Sequence, residues 1–275
     1  MIFENFQKAF RLHITDLANL LAPDYGQRDY KKFIILGRSR VGSNMVRGLI
    51  NARDDLICYG EIFRHRGEVG WDMPFYRHRK LDLFKEAGLL QERPVDFLEQ
   101  KVFQRYPESV KAVGFKIFYY HALDSQWKDV WKYLKASNFQ IIHLKRRNLL
   151  SVVLSKKLAE MSGNWKGKSY GEIQLSLDPD FCREEFLKTE QWWKTYDEFF
   201  KPNNCLEVWY EDLTTDLERE AGRIFGFLEG VPGGRPIQPT TRKQRKAGPG
   251  QQIKNYEELE NYFTGTRWED FFTGS

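Results

Sequence analysis

The sequence predicts an α/β fold in a single domain, residues 1–275, with a central, mostly parallel five-stranded sheet flanked by helices. Three observations lead to this prediction. Apolar runs of strand length alternate along the chain with amphipathic stretches typical of helices. The 275 residues are enough to bury a full core around one sheet. Neither an internal repeat nor a low-complexity tract divides the chain.

The predicted elements follow in chain order. An amphipathic helix is predicted near residues 4–21. Buried strands are predicted at five apolar runs with helices between them, near residues 33–36, 56–60, 112–117, 140–145 and 206–210. Apolar residues at helical spacing predict two further helices, at 149–163 and 184–200. Strand character is lost between residues 64 and 108, which we interpret as an insertion.

A glycine-bracketed loop separates the first strand from a helix that begins behind Ser43. Gly37 and Gly42 have the G-x-x-x-x-G spacing of a nucleotide-phosphate loop, in which backbone N–H groups surround an anion at a helix N-terminus. A kinase or ATPase would continue with Lys and Ser or Thr, but Ser43 and Asn44 stand there. The loop therefore predicts an anionic nucleotide without a triphosphate-magnesium headgroup. The alternative is an ordinary strand-turn-helix corner.

Basic residues occupy two places that would face such an anion. Arg38 and Arg40 lie within the loop itself. The strand near 140–145 ends in Lys145, Arg146 and Arg147, where a kinase would place an acidic residue for magnesium. Ser155 falls two helical turns after Arg147, and the two side chains can converge on one phosphate.

With these motifs the chain resembles the sulfotransferases that use 3′-phosphoadenosine 5′-phosphosulfate (PAPS), particularly bacterial carbohydrate and lipooligosaccharide sulfotransferases. Four segments in the family's order carry the resemblance: GRSRVGSNMV, RRNLLSVVLS, VWYEDLTTDLEREAGRIFGFLEGV and TRKQRKAGPGQQIKNYEEL. The resemblance implies the P-loop NTPase-like sulfotransferase fold. It also implies a phosphosulfate-binding unit with the base at 30–63, a 3′-phosphate unit at 139–163 and a nucleotide-covering loop at 241–259.

The resemblance also implies the residues that hold the nucleotide, whose product form is 3′,5′-bisphosphoadenosine. The 5′-phosphosulfate is assigned to the loop residues Arg38, Ser39, Arg40, Val41, Gly42, Ser43 and Asn44. Arg147 and Ser155 are assigned to the 3′-phosphate. The basic loop near the C-terminus is assigned to the nucleotide through Lys243, Gln244, Arg245 and Lys246. Two segments match the family's Arg-Lys-Gly motif there, at 242–244 and 245–248, and the choice between them stays open.

Sulfuryl transfer needs an acceptor oxygen in line with the sulfur, donors for charge on the leaving phosphate and a base for the acceptor proton. Glu61 is the best base candidate, because Gly60 permits a sharp turn that points the carboxylate into the crevice at the strand ends. Bacterial relatives carry a Gly-Glu pair there, with the glutamate as base. The alternative is a structural carboxylate paired with Arg64 or Arg66.

Three other residues are catalytic candidates: Arg40, Lys116 and His121. Lys116 and His121 would stabilise the leaving group or bind the acceptor; the alternatives are a residue of an amphipathic strand and an ordinary loop histidine. The insertion at 64–108 would shape the acceptor site with Trp71, Phe75, Tyr76 and His78. A small satellite core beneath a long connection is the alternative for these aromatic residues.

Composition narrows the class further. A net charge of +5 without a basic stripe favours a local anion site over a nucleic-acid surface. Three cysteines and five histidines are scattered without metal-ligand spacing, and the chemistry requires no metal. No apolar run is long enough for a membrane span or a signal sequence, so a cytoplasmic protein is expected. The oligomeric state is left open.

The sequence thus predicts a PAPS-dependent sulfotransferase acting on a hydroxyl acceptor. By analogy with bacterial relatives the acceptor is a carbohydrate or another small metabolite, with a lipid or polyketide hydroxyl also open. Two alternatives are a non-catalytic PAPS- or polyanion-binding protein and a nucleotide kinase-like enzyme.

Overall fold

A computed structural model describes residues 2–22, 25–65, 67–73, 80–124, 127–163, 173–229 and 249–272. Its centre is a five-stranded, all-parallel sheet flanked by helices, which confirms the predicted α/β class. The strands are β1 Lys31–Gly37, β2 Leu56–Glu61, β3 Ala112–Phe118, β4 Gln140–Lys145 and β5 Asn204–Trp209. They lie in the order β2-β3-β1-β4-β5, and each overlaps the strand predicted for it.

Helices connect and cover these strands. In chain order they are α1 Ile2–Leu21, α2 Ser43–Asn51, α3 Lys80–Glu92, α4 Pro94–Phe97, α5 Lys128–Ala136, α6 Leu149–Ser162, α7 Pro179–Phe199, α8 Tyr210–Thr215, α9 Leu217–Glu229, α10 Pro249–Gln252 and α11 Tyr256–Phe263. A π-helical turn, Leu98–Val102, extends α4, and a 3₁₀ turn, Glu269–Phe271, follows α11. Within the described ranges, no helix combines the length and the apolar character that a bilayer crossing requires.

Two hydrophobic cores lie on the two faces of the sheet. Successive strand residues point to opposite faces, so Phe33 and Ile35 enter one core while Ile34 and Leu36 enter the other. Because both faces are covered, β1 is a continuous apolar run rather than an alternating one.

The sheet order puts the loop after β1 at the middle of the carboxyl edge. β1 pairs with β3 on one side and with β4 on the other, all in parallel. The ends of β3 and β4 therefore flank the glycine-bracketed loop, and side chains from both can reach it.

The insertion at 64–108 is only partly described. Trp71 is 4% exposed and packs edge-on against Tyr59, with ring centroids 4.8 Å apart. Its ring also contacts Phe97 at 5.6 Å, and its indole nitrogen donates to Glu86 Oε2 at 3.1 Å. Trp71 is therefore part of the main hydrophobic core on this face of the sheet rather than of a separate satellite core. The other three aromatic residues expected to shape an acceptor site, Phe75, Tyr76 and His78, lie outside the described residues.

Candidate active site at the carboxyl edge of the sheet

The glycine-bracketed loop has a backbone that only particular residues allow. Gly42 precedes α2 with φ 93°, in the left-handed region, and an added Cβ would lie 2.6 Å from Cδ2 of Tyr210. A Cβ on Gly37 would lie 2.7 Å from the backbone oxygen of Leu144 on β4. Both glycines are thus fixed by close neighbours, as well as by the turn.

The N-terminus of α2 is suited to an anion. Its first N–H groups, beginning at Ser43, lack acceptors within the helix, and Gly42 supplies no side-chain cap. The first turn carries no acidic residue that would repel an anion. The Val41 side chain is buried in the core, so only its backbone is available to a ligand.

The two loop arginines have different surroundings. Arg38 is 2% exposed, and its guanidinium donates to Glu185 Oε2 at 2.8 Å and to the hydroxyl of Thr189, both on α7. Partial burial alone would raise the pKa of Glu185. The charge of the neighbouring Arg38 outweighs burial, so the pKa of Glu185 is lowered. Arg40 instead donates from Nε to Ser155 Oγ on α6 at 2.9 Å. Arg40 and Ser155 are therefore together, whereas Arg38 ties the loop to α7.

Lys116 joins the base candidate to the loop. Its side chain is fully buried on β3, and Nζ lies 2.9 Å from Glu61 Oε1 and 2.7 Å from Asn44 Oδ1. An irregularity in the β2–β3 register after Cys58 places Glu61 beside Lys116. Burial lowers the pKa of Lys116, and the adjacent Glu61 carboxylate opposes that shift. A carboxylate, an ammonium and an amide therefore form one hydrogen-bonded row at the loop.

Gly60 has a different role from the one expected. It lies inside β2 rather than in a sharp turn. Its N–H donates to Trp71 O at 2.8 Å, and an added Cβ would lie 2.5 Å from Gly70 O and 2.2 Å from Asp72 Cβ. The glycine is required because residues 70–72 pass directly over the strand.

The sequence offers Arg64 and Arg66 as structural partners of Glu61, and the structure describes the first of these two arginines. Arg64 pairs with Asp72 Oδ1 at 3.3 Å and with Glu68 Oε1 at 3.4 Å, while Lys116 holds Glu61. Arg66 lies outside the described residues.

His121 is a buried, neutral histidine. Nδ1 accepts a hydrogen bond from the backbone N–H of Phe118 at 3.2 Å, which leaves the proton on Nε2. Burial lowers the pKa of His121 to about 4. At neutral pH the ring can donate from Nε2, but it carries no positive charge.

The strand end at β4 is organised by the start of α8. Arg147 forms a bidentate ion pair with Asp212, at 2.6 and 2.9 Å. Glu211 accepts hydrogen bonds from the backbone N–H groups of Arg147 at 3.0 Å and Asn148 at 3.2 Å. Ser155, which the sequence pairs with Arg147 around a phosphate, is hydrogen-bonded to Arg40. Arg147 and Ser155 therefore have different partners in this structure.

Three residues that contact the loop are given no role there by the sequence. Tyr210 packs on Gly42, Arg146 donates from Nη1 to Arg40 O at 3.1 Å, and the Tyr120 hydroxyl accepts from the N–H of Ser39 at 3.3 Å. Tyr210 and Arg146 lie within motifs already recognised, so position in the motif could have indicated them. Tyr120 follows β3 in an irregular segment, and no periodic pattern marks it.

The predicted nucleotide-covering segment is described only from residue 249. Lys243, Gln244, Arg245 and Lys246 lie outside the described residues. After these residues, the chain at α10 is hydrogen-bonded to the segment that precedes α7. Leu175 N donates to Gln252 O at 3.0 Å, and Lys254 N donates to Leu175 O at 2.9 Å. Among the side chains that the structure describes, no group of three or more His, Cys, Asp or Glu is placed to hold a metal ion.

Comparison with known proteins identifies relatives along most of the chain. A model of the sulfotransferase family matches residues 32–232. Nodulation protein H of Rhizobium tropici is 24% identical over 251 residues, which cover 87% of this chain and 92% of that protein. Among solved structures, the sulfotransferase domain from the Synechococcus PCC 7002 olefin synthase aligns with 92% of this chain and 83% of its own, at 15% identity and a TM-score of 0.34.

Proposed function

The chain belongs to the sulfotransferase family, and from that premise we propose that it transfers the sulfuryl group of PAPS to a hydroxyl acceptor, with Glu61 as general base. The observation that carries the proposal is the row of Glu61, Lys116 and Asn44. It puts a carboxylate one side chain away from the loop that would hold the transferred group. A base must lie within hydrogen-bond reach of the proton that it removes.

The residues at the loop fit the nucleotide. The N–H groups at the start of α2 suit a 5′-phosphosulfate, and Arg40 adds a cation beside them. The proposed 3′-phosphate ligands are Arg147 and Ser155, with the basic residues at 243–246 covering the nucleotide. When bound, PAPS supplies a sulfuryl group attached to a phosphate that can leave.

Three of the candidate side chains then have distinct tasks. Glu61 accepts the acceptor's hydroxyl proton at a carboxylate oxygen. Lys116 donates to that carboxylate and so fixes its position, and its ammonium group stabilises the negative charge that grows on the leaving phosphate. His121, which is neutral, can bind the acceptor through Nε2–H but is the weaker choice for the leaving group.

The acceptor is proposed as a carbohydrate or another small metabolite with a free hydroxyl. The insertion at 64–108 borders the site through Asp72, whose backbone oxygen accepts from Arg47 of α2 at 2.7 Å. We assign this side of the crevice to the acceptor.

A screen of metabolites with PAPS, with mass-spectrometric detection of the added sulfate, tests the activity and identifies an acceptor. With that acceptor, Glu61→Gln should lower kcat by about 100- to 10,000-fold, because the amide retains the size of the side chain but cannot take the proton. Affinity for 3′,5′-bisphosphoadenosine, measured by calorimetry, should stay within about twofold of wild type.

The matched control is Glu198→Gln, which removes an exposed carboxylate at the end of α7. Glu198 pairs with Lys201 in solvent, so its loss should leave kcat unchanged. Near-normal turnover in Glu61→Gln would return this residue to the structural alternative. Tight nucleotide binding without turnover on any acceptor would favour a non-catalytic binding protein.

A further inference from the structure

Arg146 reaches the glycine-bracketed loop from the end of β4. Its Nη1 donates to the backbone oxygen of Arg40 at 3.1 Å, and its guanidinium carbon lies 4.3 Å from the centre of the Tyr210 ring. The side chain is 11% exposed. Arg146 also lies near a carboxylate, with its Nε 3.9 Å from Glu211 Oε1. The neighbouring basic residues have closer carboxylate partners: Lys145 pairs with Asp197 and Glu207, and Arg147 pairs with Asp212.

The backbone at this point is in an uncommon conformation. Arg40 has φ 71°, in the left-handed region that residues with a Cβ seldom adopt. Gly42 has φ 93° and lies against the Tyr210 ring. Such a backbone persists where surrounding contacts fix it. Arg146 and Tyr210 are the contacts that reach these two residues from the β4 and β5 ends.

We propose that Arg146 and Tyr210 form a brace that positions the loop for the 5′-phosphate of the nucleotide, an inference that rests on the proposed function. The C=O of Arg40 and the N–H of Val41 belong to one trans peptide and point in opposite directions. The bond from Arg146 therefore also fixes the direction of the Val41 N–H, a donor of the loop. The Tyr210 ring, 4.3 Å away, gives the same guanidinium a second contact that helps to hold it in place.

The brace predicts a loss confined to nucleotides that carry a 5′-phosphate. In Arg146→Gln, calorimetric titration should show 5′-AMP bound about tenfold more weakly, because the loop donors are no longer aligned. Adenosine 3′-monophosphate, which does not use the loop, should change by less than about twofold. Arg146→Lys retains a cationic donor and should recover part of the loss.

The matched control is Arg223→Gln on α9. Arg223 also donates to a backbone oxygen near this edge, Glu207 O at 3.2 Å, so its removal reproduces the loss of an arginine–carbonyl bond. Both nucleotides should bind this variant as they bind wild type. An equal loss of both nucleotides in Arg146→Gln, or an unchanged affinity for 5′-AMP, overturns the brace.

Failure of the proposed function gives a different result. If wild type binds neither nucleotide, the nucleotide site itself is wrong, and the brace is decided in the unliganded protein. Amide hydrogen exchange over residues 38–44 should then be faster in Arg146→Gln than in Arg223→Gln. Equal exchange in the two variants overturns the brace in that case as well.

Discussion

Arg147 shows how a single residue can have a partner and still be available to a ligand. Its bidentate pair with Asp212 has short distances, but the Arg147 side chain is 49% exposed. Exposed ion pairs contribute little to stability, because solvent screens them. A phosphate carries more charge than a carboxylate and accepts the same two-pronged contact, so it can compete for this guanidinium.

The 3′-phosphate assignment predicts a selective loss in Arg147→Ala. Affinity for 3′,5′-bisphosphoadenosine should fall by roughly 10- to 100-fold, since one charge-assisted contact is lost. Affinity for 5′-AMP should be nearly unaffected. Calorimetric titration of both nucleotides measures this difference.

Asp212→Asn is the control for a structural role of the ion pair. It breaks the pair but leaves Arg147 in place, so the bisphosphate should bind at least as tightly as to wild type. If both variants instead melt at a lower temperature and lose both nucleotides equally, Arg147 serves only to hold the strand end.

At the scale of the elements, the sequence predicted the strands well and some contacts between segments poorly. β1 and β4 are apolar runs that end at Gly or Lys, and their burial on both faces follows directly from that pattern. The sequence predicts a turn at Gly60, since no local pattern reveals that residues 70–72 pass over β2. The contacts of long side chains are also hard to predict from sequence. Spacing places Arg38 in the loop but does not show that its guanidinium contacts Glu185 on α7.

We therefore expect that a side chain added at position 60 destabilises the packing of residues 70–72 on β2. In Gly60→Ala the new methyl group would meet Gly70 O at 2.5 Å and Asp72 Cβ at 2.2 Å, and backbone must move to admit it. The free energy of unfolding should fall by about 1 to 3 kcal/mol, as for other overpacked sites. Chemical denaturation monitored by fluorescence gives this value.

Gly222→Ala in α9 is the matched control. An added Cβ there meets nothing within 4 Å, and alanine favours a helix over glycine by up to about 1 kcal/mol. This variant should be as stable as wild type or more stable. If the two variants unfold at the same denaturant concentration, residues 70–72 do not restrict this position.

At the scale of the whole molecule, charges from several strands meet at one edge of the sheet. Arg38 follows β1, Lys116 belongs to β3, and Arg147 follows β4; each has a carboxylate partner. A modest net charge of +5 is consistent with this local pairing. Parallel topology brings these cations together although they are far apart in sequence, which is why the motifs alone predict a common site but not the individual contacts within it.

This edge also predicts how the whole protein responds to ligand and metal. Ser43 stands where a triphosphatase has its lysine, and the proposed ligands of the nucleotide are N–H groups and cations, which need no magnesium to bind phosphate. At 100 times its Kd, 3′,5′-bisphosphoadenosine should stabilise the fold by about 2.7 kcal/mol and raise the Tm by on the order of 5 to 11 °C. The rise should be the same in magnesium and in EDTA, as measured by thermal scans at one protein concentration.

ATP serves as the comparison ligand and should give a smaller shift, since it lacks the 3′-phosphate. A rise that requires magnesium, or a larger one with ATP, would contradict this assignment and favour a kinase-like nucleotide site.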